Sequence, residues 1–192
     1  MTRGIDSLTS GDALLLIDVQ VDFCPGGALA IEGGDRVVPV LNRWIAAAGA
    51  AGVPVYASQD WHPPRHPSFA SEGGEWPPHC VQATHGANFH PDLALPDDSV
   101  VVVKGTRFDR DQYSAFDETG LVEELHRRGV RRLWVGGLAR DVCVRASVLD
   151  ALRAGFAVHV IVAGTRAVCP EDGRSALHEM ATAGATLEAD DA

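Results

Sequence analysis

A chain of 192 residues with 46% apolar side chains can bury a full core, and it reads most simply as one domain over 1–192. No run approaches the ~20 apolar residues needed to span a bilayer as a helix. The net charge of −10 argues against nucleic acid and anionic membrane surfaces as partners.

From the N-terminus, Met1 to Ser10 has no basic stretch leading into an apolar one. No secretory signal is read there, and the cytoplasm is the expected compartment. Ala13–Ile17 is a short apolar run with the pattern of a buried strand. Cys24 to Gly34 has paired glycines on each side of Ala28-Leu29-Ala30-Ile31, which predicts a small hairpin or tight excursion. Asp35 to Ala50 places Val37, Val38, Leu41, Ile45 and Ala48 at helical spacing. Asp35 is the predicted N-cap, and Gly52 stands just past the end. Val53–Ser58 is the second strand, and the valine run Val100–Val103 is the third. Between them, Gln59 to Pro96 shows little periodicity, and connections of that length are commonly functional. A helix over Thr119–Arg128 ends at Gly129, and a strand follows at Arg132–Val135. The cluster Arg127, Arg128, Arg131 and Arg132 sits at a helix end, where cations complement the dipole, and is read as structural. A helix over Asp141–Arg153, a strand over Ala157–Val162, a helix over Glu171–Ala183 and an edge strand over Ala185–Glu188 complete the chain.

Alternating strands and helices predict an α/β fold: a doubly wound, mainly parallel six-stranded sheet with helices on both faces. Ligands of such sheets bind beyond the carboxyl ends of the strands. Asp18 follows the first strand, Asp60 and His62 the second, and Lys104 the third. Cys143 follows the fourth, at the start of a helix. Four different chemical groups therefore fall at one edge.

Each group has an ordinary and a chemical reading. Asp60, His62, His66 and His79 lie in a stretch broken by Pro63, Pro64, Pro67, Pro77 and Pro78, which excludes a regular helix or central strand. A mixed imidazole and carboxylate set without thiolate suits zinc, iron or manganese with a position left open for catalysis. The plain alternative is a His-rich surface loop. Cys143 follows Gly136-Gly137 and a tight turn, and Asp141 as N-cap would put it in a first helical turn. Unpaired N–H groups and the helix dipole there favour a thiolate and can hold an oxyanion. The alternative is a small buried hydrophobe. Asp18 can take the thiol proton and return it to a leaving amine, with Lys104 keeping the carboxylate ionised. Standing alone, Asp18 would be a turn residue and Lys104 a surface residue. Cys24, Cys80 and Cys169 form no C-x-x-C pair and are read as structural free thiols. His85, His90, His126, His159 and His178 are read as solvated or ordinary core positions.

Six segments in order carry a resemblance. They are Leu16-Ile-Asp18-Val-Gln20-Val-Asp22-Phe23, Gln59 to Phe69, Trp76 to Val81, Lys104-Gly105-Thr106, Tyr113 to Phe116, and Gly137 to Val144. Together they resemble the nicotinamidase/pyrazinamidase branch of the isochorismatase-like cysteine hydrolases, over about Leu14 to Val168. The resemblance implies the isochorismatase-like three-layer sandwich and a catalytic triad of Asp18, Lys104 and Cys143. It implies one divalent ion, zinc first and iron or manganese next, held by Asp60, His62 and His79, with His66 as a variable fourth ligand. It also implies a cis peptide before Ala139, and an oxyanion hole from the amides of Ala139 and Cys143. Phe23, Trp76 and Tyr113, with Leu29 and Leu138, would bind the substrate. The implied reaction converts nicotinamide to nicotinate and ammonia through a thioester, accepts pyrazinamide, and belongs to NAD salvage. Arg140 departs from the small or hydroxyl residue many members carry, and bears on the pocket rim, an oligomer contact or substrate range.

Other readings stand beside this one. A relative acting on a carbamoyl or ureido amide would keep the cysteine triad without needing the Asp60/His62/His79 cluster. A vinyl-ether hydrolase would not need Cys143. A non-catalytic metal-binding protein would need neither triad nor pocket. Acidic doubly wound domains of this size often self-associate, so a homo-oligomer stays open.

Overall fold

The structure is a computed structural model in which residues 4–189 are described. The single-domain reading over 1–192 extends beyond them at both ends. Six strands form one sheet: β1 (Asp12–Ile17), β2 (Val55–Asp60), β3 (Val100–Lys104), β4 (Arg132–Leu138), β5 (Ala157–Arg166) and β6 (Thr186–Glu188). Their order is β3-β2-β1-β4-β5-β6, and every pairing is parallel. The four α-helices among the described residues are α1 (Val37–Ala51), α2 (Leu121–Arg127), α3 (Arg145–Arg153) and α4 (Pro170–Thr182).

The two-residue alternation of β1 explains the layers. Leu14 and Leu16 face the cluster built on α1 through Val37, Val38, Leu41, Trp44, Ile45 and Ala48. Ala13, Leu15 and Ile17 face the opposite cluster, built on Leu121 and Leu125 of α2, Val148 and Ala151 of α3, and Ala176 and Met180 of α4. All six β1 residues are buried, as a strand covered on both faces requires. Each such leucine contributes about 1.5–3 kcal/mol by leaving water. The chain winds outward from β1 in both directions, so the order reverses between β1 and β4. The carboxyl ends flanking that reversal are where an open α/β sheet leaves a crevice.

Several local expectations change. Asp35 does not cap α1: it lies in a short 3-10 turn, Gly34–Arg36, that runs directly into the helix. Cys24 to Gly34 is an excursion without a strand, tied back by Leu29 N–H to Asp22 O at 3.0 Å and Ile31 N–H to Phe23 O at 3.1 Å. Asp141 does not cap α3 either. Its carboxylate accepts from the N–H groups of Val168 (3.0 Å) and Cys169 (2.9 Å), tying the β4–α3 turn to the entry of α4. The arginine cluster is structural, with Arg127 and Arg128 on Glu124 and Arg132 on Asp12. His159 is a core position: it stacks on Trp134 at 4.3 Å and meets Glu188 at 2.7 Å. No described helix is long and apolar enough to cross a membrane.

Candidate active site

Strand register brings the first two groups together. β2 runs two residues and β3 one residue further than the sequence pattern predicts, and their pairing sets Asp60 directly beside Lys104. β1 ends at Ile17, so Asp18 is the first residue past the sheet. Its φ of 47° lies in the left-handed region, uncommon for a side chain larger than glycine. β4 pairs Gly137 with Ile17. A Cβ at Gly137 would lie 2.0 Å from the Ile17 carbonyl oxygen, and its φ is 128°, so only glycine fits that approach. Beyond it stand the cis Leu138–Ala139 bond and a π-helical turn, Arg140–Val144. That turn, rather than a capped first α-helical turn, carries Cys143. The carbonyl of Ala139 accepts from both Val142 and Val144 N–H, at 3.1 and 2.9 Å.

Lys104 is the only lysine in the sequence, and it is fully buried. Its Nζ lies 2.6 Å from Asp60 Oδ1, 2.9 Å from Asp18 Oδ2, 3.3 Å from the Gln112 carbonyl and 3.5 Å from Cys143 Sγ. Acceptor atoms of Asp18, Asp60 and Cys143 all lie within 4.8 Å of one another. Burial disfavours the ammonium, but the two carboxylates outweigh it and hold Lys104 charged, well above its ordinary pKa. Asp18 is pushed up to about 6, by burial first and by Asp60, while Lys104 and a 2.6 Å hydrogen bond from Ser58 Oγ oppose the rise. Against its own burial, Asp60 is held well below the carboxylate range by Lys104 and His62. Burial first, then the nearby Asp18 and Asp60, push the Cys143 thiol well above its ordinary value, against Lys104. That direction opposes the thiolate that a helix dipole alone would favour.

The long connection folds the histidines onto the same edge. His62 is bridged to Val81, with His62 N–H on Cys80 O and Gln82 N–H on His62 O, both at 2.9 Å. The His62 Nδ1 meets the Gly105 carbonyl at 2.9 Å, and the His79 Nδ1 meets the Pro77 carbonyl at 2.8 Å. A carbonyl can only accept, so each Nδ1 carries a proton, and in the neutral ring the lone pair is on Nε2. Gly105 is needed for this contact: its φ is 69°, and a Cβ would sit 2.6 Å from His62 Cε1. His62 Nε2 and His66 Nε2 are both buried without a partner.

Ligand atoms of Asp60, His62 and His79 lie within 4.8 Å of one another, and a second group, His62, His66 and Asp111, shares His62. A hard-and-borderline O/N donor set with its second nitrogens fixed by carbonyls fits a divalent ion such as zinc. His66 is tied less firmly, since its Nδ1 meets the Ser68 hydroxyl at 2.7 Å and the Ser68 N–H at 3.3 Å.

Above the thiol is a small cavity lined by Phe23, Leu29, Trp76, Tyr113, Ala139, Val142, Cys143 and Val168, with Asp60, His79 and Asp111 on the side of the histidine cluster. The Trp76 indole N–H donates to the Tyr113 hydroxyl at 3.0 Å and couples the two aromatics. Leu138 does not line this cavity. It is fully buried in the α1-side core. Ser58, Gln112, Asp111, Val142 and Val168 are site residues that the sequence reading did not name. Ser58 had a signal, as the inward position two before Asp60 on β2. The other four stand on irregular backbone with no periodicity to place them.

The fold and site define an α/β sheet edge that gathers a buried Asp18-Lys104-Cys143 cluster beside residues that could hold a divalent ion. The Isochorismatase domain family matches residues 12–191, and the chain belongs to it. Among curated relatives, the nicotinamidase of Escherichia coli K12 is 44% identical, over 91% of this chain and 93% of that protein. Among solved structures, the pyrazinamidase of Pyrococcus horikoshii in complex with zinc superposes with a TM-score of 0.90 at 42% identity, covering 92% of this chain and 98% of that one. PnC1 of L. infantum in complex with nicotinate gives 0.86 at 37% identity, covering 97% and 94%.

Proposed function

We propose that this chain is an amidohydrolase of the nicotinamidase type, which cleaves nicotinamide to nicotinate and ammonia and also accepts pyrazinamide. The observation that carries the reading is Lys104 Nζ between Asp18 (2.9 Å) and Cys143 (3.5 Å), beneath a pocket walled by Phe23, Trp76 and Tyr113. Relatives that share 37–44% identity and whose names include nicotinamidase, or a bound nicotinate, support the substrate.

A flat pyridine ring suits an aromatic slot. Asp60, His62 and His79, with His66 beside them, would hold one divalent ion, zinc first among the candidates. When bound, that ion supplies a Lewis-acidic contact for a ring nitrogen. The pocket residues fix the amide over the thiol, and orientation of this kind lowers a barrier by up to about 7–11 kcal/mol. Asp18 takes the Cys143 proton, and sulfur attacks the carbonyl carbon. The oxyanion is held by the N–H groups of Ala139 and Cys143. Collapse breaks the C–N bond as Asp18 gives its proton to nitrogen, and ammonia leaves. A water then loses a proton to Asp18 and attacks the thioester. Nicotinate departs, and sulfur recovers the proton from Asp18. Lys104 stays protonated throughout, keeping Asp18 ionised between proton transfers. The chain's four cysteines are unpaired thiols, which suits the reducing cytoplasm and a place in NAD salvage.

The test is ammonia release from nicotinamide, with and without prior chelation. Fast release that falls on chelation supports both the chemistry and the ion. No release from a folded, metal-loaded sample removes nicotinamide as substrate and turns the search to carbamoyl and ureido amides.

A further inference from the structure

A second cavity, of about 460 Å³, opens beside the first and shares Val168 with it. Four arginines line it: Arg36, Arg140, Arg166 and Arg174. Glu32, exposed at the rim, is its one carboxylate. The protein carries a net charge of −10, so guanidinium groups have no shortage of partners elsewhere. Among the described residues, eight arginines do form ion pairs. Arg36, Arg43, Arg131, Arg140, Arg166 and Arg174 form none, and four of these six converge on this one cavity.

Two of the four are held in place. Arg140 donates from Nε to Thr165 Oγ1 at 2.8 Å and from Nη2 to the carbonyls of Val162 and Thr165, at 3.0 and 2.9 Å. Arg166 donates from Nη1 to Ala163 O and Thr165 O, at 3.0 and 2.7 Å. Neutral carbonyls orient these groups without cancelling their charge. Burial, and then the nearness of Arg166, lower the pKa of Arg140. Asp141 accepts from the N–H groups of Val168 and Cys169, the two residues before α4, and fixes the cavity wall there. Like charges gathered round one space are costly unless an anion joins them, and guanidinium forks match phosphate oxygens in pairs. A volume of this order admits a nucleotide-sized ligand.

We infer that this arginine-lined cavity binds a phosphate-bearing small molecule, next to the active site and separate from the amide pocket. Arg140 directly follows Ala139, so the ligand would sit against the turn that carries Cys143.

The test titrates the full-length, metal-loaded protein by calorimetry with pyrophosphate and, separately, with adenosine diphosphate. Saturable binding is expected, weakened at least about tenfold in R166A/R174A, which removes two charge-assisted donors. Turnover of the neutral amide without phosphate should be unchanged in that variant. Equal affinity for the two probes assigns recognition to the phosphates alone, and tighter diphosphate binding adds the nucleoside. The matched control R43A/R131A, unpaired arginines elsewhere, should bind like the parent. No saturable binding overturns the inference, as does equal weakening in both variants, which would mark general electrostatics. Sedimentation velocity covers the remaining case. Self-association lost in R166E/R174E, with no phosphate bound by either protein, would make the cavity a contact between copies. Failure of amide turnover would leave the phosphate titration intact, so the two readings fail independently.

Discussion

Replacing Ser58 by alanine isolates how the site keeps Asp18 usable as a base. Ser58 is fully buried, and its hydroxyl donates to Asp18 Oδ1 at 2.6 Å. The Asp18 N–H keeps the Ser58 carbonyl at 3.2 Å as an acceptor, so the backbone loses little. A hydrogen bond to an ionised group is worth about 1.5–3 kcal/mol. At 1.36 kcal/mol for each factor of ten, losing it favours protonated Asp18 by about one to two pH units. The parent Asp18 sits near 6. Because the reaction needs the carboxylate, kcat/KM should fall as pH drops through about 6 in the parent. In Ser58→Ala the same fall should come about one to two pH units higher. The variant should lose about twofold to tenfold at pH 7 and approach the parent above pH 9, by the same arithmetic. The assay is ammonia release at low nicotinamide concentration across pH 5 to 9.5, with circular dichroism at each end. An acidic limb that does not move, or a loss equal at every pH, would refute the assignment of Asp18 as the base tuned by this hydroxyl.

Three further outcomes follow from the same geometry. Cys143→Ala should lower kcat by on the order of 10³-fold or more while the metal content, read by plasma mass spectrometry, stays at the parent level. Retained turnover would remove the nucleophile. His79→Ala should weaken bound metal by at least about 100-fold, more than loss of an outer-shell partner costs. Unchanged metal content after dialysis would discredit the ligand set. Lys104→Met leaves Asp18 and Asp60 buried without their cation, and should cost about 3–5 kcal/mol at pH 7 in urea unfolding. Both carboxylates then rise toward neutrality, so that cost should shrink at pH 5. A variant as stable as the parent at pH 7 would mean the ammonium does not hold the pair.

The order of strands and helices along the chain, and the edge at which chemistry gathers, are legible in the residues alone. Both follow from local signals: β1 and β3 are near-continuous apolar runs, α1 repeats at helical spacing, and glycines stand at the turns. A parallel sheet with connections of one hand then forces every strand's carboxyl end to the same side, so Asp18, Asp60, Lys104 and Cys143 had to converge. Other features depend on distance through space and arise only in the folded chain. Strand register set Asp60 beside Lys104, and that contact, with His62, holds Asp60 low while burial raises Asp18. The Cys143 thiol is raised by burial first and then by the carboxylates of Asp18, just past β1, and Asp60, at the end of β2, none of which a helix-dipole argument along its own segment contains. Asp141 reads locally as a cap, yet it meets the entry of α4, 27 and 28 residues away. The four arginines of the second cavity come from the α1 entry, the β4–α3 turn, the end of β5 and α4. No window of sequence holds them together, because a parallel fold assembles its edges from segments that the chain keeps far apart.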